Sequence, residues 1–454
     1  MMVSYAQVSV NIDGADPDPS AMLDIQSTDR GFLMPRMTEN DRMAINAPAS
    51  GLLLFQTDAE AGFYYNHGTP SLPEWARLAI QQSDLVCDKR IPIDSVFNGS
   101  NYEITESGSY YFTEDISLTF VGSTSGITID ADNVTLDLNG YSLNGNGTGG
   151  DGISVFGTHN NITIKNGVVA NWGENGIFGF RASQSFYLDL VVRGNALEGM
   201  FADFNSLIHQ CVVEDNGFSG IRAEDGSIIS NSTASNNGRS GIFSRDRMLI
   251  VNCTTTNNER DGIDARWGSR VENCNSFRNG IYGIDLGEGS QVVNCVVNEN
   301  RSNGINLSGA CLAMYNVVNG NGQCWLDGGG CAGIADDGAG INASFGTQLL
   351  NNTCSGNIMG IRISGVDNYV SDNQVQNNRH VGLVTISEGS LIIRNRGANN
   401  GFNPVPELQA TGNDPDGNII IDPNCTFGPI IDVSASGDIV NTLGADHPYA
   451  NYVH

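Results

Sequence analysis

The sequence predicts an all-β chain wound as a right-handed parallel β-helix, a solenoid of about 21 residues per coil behind a small N-terminal head module. Three observations carry this. The pair Gly-Ile recurs at Gly220-Ile221, Gly241-Ile242, Gly262-Ile263, Gly283-Ile284 and Gly304-Ile305, each 21 residues after the last. Around each pair apolar and polar residues alternate with a period of two, in short runs broken by Gly and Asn, which is the pattern of strands with one buried face. Asparagine falls in fixed register with the repeat, at Asn216, Asn237, Asn258, Asn279 and Asn300.

A coil of this length holds three short strands and three bends, and stacking places each strand about 4.8 Å from its copy above. Ile221, Ile242, Ile263, Ile284 and Ile305 form one inward column; Ile208, Ile229, Ile250, Val271 and Val292 form another. Each contributes roughly 1.5–3 kcal/mol on burial, and no coil can bury its face without neighbours. The first Asn column and a second at Asn231, Asn252, Asn273 and Asn294 are expected to stack as side-chain amide ladders.

Along the chain, residues 1–6 read as the remnant of a signal peptide, with Ser4 and Ala6 as small residues ahead of a mature start near Gln7. Residues 7–80 form the head or attachment module, in which Thr38 and Asp41 predict a short capped helix. Its leading run, Gln7 to Ile12, alternates like an edge strand that could dock on a neighbouring subunit. Residues 81–125 are linker and N-terminal cap, and 126–400 are the β-helix proper, lengthened by an insertion at 312–339. Residues 401–454 are C-terminal coils and cap. Cys211, Cys253, Cys274 and Cys295 fall on the repeat as buried residues, whereas Cys324 and Cys331 in the insertion are candidates for a disulfide.

With 50 acidic against 22 basic residues the net charge is −28, and only Lys89 and Lys165 are lysines. Such a surface repels nucleic acid and anionic membranes. No apolar run is long enough to cross a bilayer as a helix; the signal-peptide remnant at residues 1–6 leads to the expectation that the chain is secreted or displayed at a cell surface.

The lead-in segments at 102–118, 126–145 and 152–169, followed by the 21-residue units, resemble the pectin-lyase-like superfamily, and within it secreted repeat proteins without an assigned activity. The head, from Asp18 through Gly51–Asp58 to Trp75, resembles modules of Bacteroidota surface proteins and of tail-fibre-like proteins. These resemblances imply a non-catalytic structural or adhesive fibre protein that self-assembles or binds a polysaccharide or cell-surface glycan.

A polysaccharide lyase or glycoside hydrolase is the alternative. Outward positions beside the Ile221 to Ile305 column place Arg222, Phe243, Asp264, Asp285 and Asn306 on one face. Asp264 and Asp285 would lie about 5 Å apart, a spacing suited to retaining glycoside hydrolysis, with Arg245 and Arg266 as further catalytic candidates. The glycosidase signatures of this fold are absent as a set, and a solvated, charge-balanced face explains the same residues. Trp267, Phe243 and Arg222 are candidate glycan contacts, since an exposed aromatic ring can stack on a sugar. No cofactor is required by these readings; Ca²⁺ could bind the acidic turn at Asp336 and Asp337.

Overall fold

The computed structural model of the chain describes residues 7–78, 90–94, 101–120, 122–322, 338–401, 419–421, 424–428, 430–432 and 447–453. It divides into two units, Met1–Asp88 and Lys89–His454.

In the first unit, Val8–Val10 pairs in parallel with Leu23–Ile25 of the same chain, so the expected edge strand has a partner at home. The predicted helix forms at Glu39–Met43, where Thr38 and Asp41 satisfy each other's backbone N–H in a capping box. A four-stranded sheet follows, built from Arg36–Met37, Leu53–Gln56, Gly62–Asn66 and Trp75–Arg77. Its small core buries Leu54 and Tyr64 under the guanidinium of Arg42, which lies 4.5 Å from the Tyr64 ring and 5.4 Å from Trp75.

The second unit is the solenoid. A typical coil runs through strands Ile221–Ala223, Ile228–Ser230 and Thr233–Ser235. The first strand of every coil joins a 14-stranded parallel sheet, and the other two join one continuous sheet of 28 strands. Ile221, Ile242, Ile263, Ile284 and Ile305 pair in direct register and are fully buried. The earlier coils are longer: Ile127 pairs with Ile153, and Ile153 with Ile177, before the regular step begins at Met200 and Ile221. Strands Leu312–Met314 and Val317–Asn319 keep the regular pairing. The insertion expected at 312–339 therefore starts later, past Gly322, and displaces the register so that Ile305 meets Ile341.

The two asparagine columns do different work. Asn195, Asn216, Asn237, Asn258, Asn279, Asn300 and Asn321 form an unbroken buried ladder, each Nδ2 donating to the next Oδ1 at 2.9–3.0 Å. It continues through Asn357, Asn378 and Asn400. Asn231, Asn252, Asn273 and Asn294 instead hold the bend between the second and third strands, with φ of 51° to 56°, a left-handed conformation that Asn tolerates. They are exposed, and one amide-to-amide bond, Asn252 to Asn231, joins them. The expectation of a second ladder at these positions is thus corrected: the bend geometry selects asparagine there.

A ladder the repeat did not reveal does exist. Asn316, Asn352, Asn373, Asn395 and Asn451 stack in the same way. They continue the column that Cys211, Ser232, Cys253, Cys274 and Cys295 occupy in earlier coils. Those cysteines are free, buried thiols. Burial pushes the Cys211 thiol up to about 12, so this column packs and does not react.

Candidate functional site

The outward column of the 14-stranded sheet runs Ser154, Phe178, Phe201, Arg222, Phe243, Asp264, Asp285, Asn306, Asn342, Arg362. Period-two alternation puts these side chains on one face, because their neighbours in each strand point into the core. The column changes chemistry along its length, from aromatic to cationic to acidic to amide.

At the aromatic end Phe178, Phe180 and Phe201 form a cluster with ring centroids 5.4–5.9 Å apart. With Phe204, Arg222 and Arg245 they line an open cleft of about 600 Å³. Arg222 lies over the Phe201 ring at 4.5 Å and pairs with Glu198 at 3.7 Å and Glu224 at 3.6 Å. Arg245 Nε donates to the buried Glu224 at 2.7 Å.

Beside it lies a smaller pocket of about 240 Å³, lined by Arg222, Arg239, Arg245, Arg260 and Arg266 around Phe243 and Asp264. The bends before and after the strand supply the arginines. Arg239 and Arg260 hold one repeat position, Arg245 and Arg266 another. Phe243 is half-buried on the floor, with the Arg222 and Arg266 guanidiniums 5.7 Å from its ring.

Asp264 and Asp285 are register partners on adjacent strands, about 4.8 Å apart along the axis. Their surroundings differ. Asp285 accepts from Asn306 Nδ2 at 2.8 Å, Asn306 accepts from Asn342 at 2.8 Å, and Asn342 accepts from Arg362 at 3.1 Å. This chain of donors ends on the Arg362 guanidinium. Burial, then the charges of Asp285 and Asp261, push Asp264 up to about 7 against the opposing pull of Arg266 and Arg260.

Asp264, Arg245, Arg266, Phe243 and Arg222 therefore meet in one pocket, with Asp285 next to it, as the sequence placed them. Trp267 is exposed but lines neither cleft; its indole rests on Gly287, whose missing Cβ leaves the room it needs. Asp336, Asp337, Cys324 and Cys331 lie outside the described residues. Among the described residues no group of three His, Cys, Asp or Glu side chains could hold a metal ion. The phenylalanine cluster, Arg239 and Arg260 were not singled out by sequence reasoning. A signal for the arginines exists, the repeated Arg-x-Gly-Ile-x-x-Arg of residues 239–245 and 260–266.

Residues 202–359 match a family described as a right-handed β-helix region, and residues 11–88 match one described as a phage tail-like trimerisation region. The fold is a right-handed parallel β-helix. No curated protein matches the chain. Among solved structures, the mannuronan C-5 epimerase AlgE4 A-module of Azotobacter vinelandii is 13% identical, covering 74% of this chain and 88% of that one, with a TM-score of 0.34. The Dettilon tailspike protein is 12% identical, covering 73% and 61%, with a TM-score of 0.39. ORF18 of Geobacillus virus E2 is 14% identical, covering 70% and 72%, with a TM-score of 0.36.

Proposed function

We propose that the chain is an extracellular fibre or surface protein that assembles through its N-terminal unit and binds glycans, without cleaving them, on the outward face of the 14-stranded sheet. The observation that carries the binding role is the phenylalanine-lined cleft. Phe180 and Phe204 are 40% and 44% exposed, and a cluster of ring faces at the surface of a rigid sheet offers stacking for the apolar faces of sugar rings.

Assembly is supported by the match of residues 11–88 to a trimerisation region and by the apolar surface this unit presents. Ile12 is 87%, Leu33 69% and Phe32 63% exposed, more than a solitary small unit ordinarily leaves in water. Light scattering should give about three times the chain mass of 48.3 kDa, and deletion of residues 7–78 should give monomers. A full-length chain that stays monomeric at high concentration would refute the assembly role.

For binding, the double substitution Phe180→Ala with Phe201→Ala should weaken retention on glycan columns at least tenfold, equivalent to about 1.4 kcal/mol. Unchanged retention would remove the cleft as the site. The column panel is run with and without Ca²⁺, and new reducing ends and unsaturated products are recorded throughout.

A second reading is favoured by the contrast between Asp264 and Asp285. Two carboxyls at this spacing, Asp264 pushed up to about 7 by burial and Asp285 hydrogen-bonded by the Asn306 amide, offer the division of labour of a hydrolytic acid and nucleophile. Cleavage of any polymer in the panel, abolished by Asp264→Asn in a folded protein, would replace the non-catalytic reading.

A further inference from the structure

From the repeated bends flanking Phe243 and Asp264, we infer that the arginine-lined pocket is an anion subsite that takes the acidic group, carboxylate or sulfate, of a charged glycan lying along this face. The inference rests on the glycan-binding reading above and narrows it to one chemical class.

The composition of the pocket is the reason. The chain carries 20 arginines within a net charge of −28, yet five of them converge on about 240 Å³, where Glu198 and Asp264 are the acidic residues. The arrangement is a consequence of the repeat. In two successive coils Arg occupies both the position two before the Gly and the position four after it, so four guanidiniums stand in two rows about 4.8 Å apart. In the coil before, those positions hold Phe218 and Glu224; in the coil after, Ile281 and Gly287.

The pairing of these arginines leaves the pocket cationic. Arg222 and Arg245 share Glu224, and Arg260 reaches Asp261 at 4.0 Å. Arg239 stacks on Phe218 at 4.3 Å and Arg266 faces Phe243; among the described residues neither has a carboxylate within ion-pairing distance. Arg222 Nε is buried and makes no hydrogen bond. Guanidiniums offer paired donors that match a planar carboxylate or a sulfate. At physiological ionic strength the screening length is about 8 Å, so a bound acid group senses this pocket and not the charge of the whole chain. Asp264 faces Arg260, Arg266, Asp261 and Asp285; when protonated it adds a donor, and when ionised it repels.

The test uses the full-length chain and four polymers: a polyglucuronate, the same polymer with its carboxyls reduced to alcohols, dextran sulfate, and dextran. Affinity electrophoresis compares the parent with Arg239→Ala/Arg266→Ala, whose altered side chains are exposed; circular dichroism confirms that the variant is folded. The expected result is retention by a charged polymer over its neutral counterpart, at least tenfold weaker in the variant, and declining as pH rises from 6 to 8 in the parent but not in Asp264→Asn. The polymer retained, carboxylated or sulfated, identifies the source of the acid group. Equal retention of charged and neutral polymers, unaffected by the arginine variant, would overturn the inference and leave glycan binding standing. Retention of none of the four would overturn both.

Discussion

Replacing Asn258 with leucine will destabilise the solenoid by about 3–5 kcal/mol, although the substitution puts an apolar side chain of similar size into a buried position. Asn258 Oδ1 accepts from both the side-chain amide and the backbone N–H of Asn237, at 2.9 Å and 3.1 Å. Its Nδ2 donates to Asn279 Oδ1 and to the Ala234 carbonyl. Leucine leaves two donors of Asn237 and the Ala234 carbonyl without these bonds in a place water does not reach, and each orphan costs about 1–3 kcal/mol. Because coils contact only their neighbours, the loss is local first. Hydrogen exchange should open the coils around 237–279 before the rest, and the melting curve should broaden or split. Asn252→Gly supplies the contrast: at φ of 56° glycine fits the bend and should change stability by well under 1 kcal/mol. Equal effects at the two positions would refute the division of the asparagines into ladder and bend.

That division marks how far the sequence could be read. The isoleucine columns were legible because a buried face demands one residue class at one spacing, and the 21-residue repeat states both. The outward column from Arg222 to Asn306 followed from alternation alone. Asparagine was ambiguous because two unrelated demands select it, an amide that can stack in the core and a short polar side chain that tolerates positive φ. Position in the repeat does not tell them apart; burial does. The second ladder was hidden for a related reason, since Cys, Ser and Asn share one column and each satisfies the same backbone N–H.

The aromatic cleft was missed for geometric reasons. Phe178 pairs with Phe201 across a step longer than the regular 21, where a fixed step gives the wrong neighbour. His159 shows the same effect: it lies 2.9 Å from Asp130 and 3.4 Å from Asp132, partners that no short spacing announces. The arginine pocket needed a different question. Searching for catalytic signatures passes over Arg239 and Arg260, whereas asking which positions carry one charge in consecutive coils finds them.

Whether the acidic part of this face is merely a solvated surface or a built site is decided by Asp264, and Asp264→Asn is expected to make the protein more stable at pH 8 than its parent. The unfolded carboxyl titrates at its ordinary value near 3.8, and the folded one is pushed up to about 7. Between those values the folded state holds a proton that the unfolded state releases, so this group's contribution falls as pH rises from about 4 to about 7 and stays low above that. Asparagine keeps the shape of the neutral acid and cannot ionise. With allowance for partial solvent exposure of the side chain, the gain at pH 8 is on the order of 1–2 kcal/mol, vanishing towards pH 4. The measurement is the difference in melting temperature between variant and parent across that range. A pH-independent difference would mean that water and the neighbouring arginines already accommodate the charge, and the face would be ordinary solvated surface. A gain confined to high pH would mean that the fold bears a cost to hold a carboxyl beside Asp285 and under the arginines. Packing and solubility supply no reason for such a cost; an acid group presented to a ligand does.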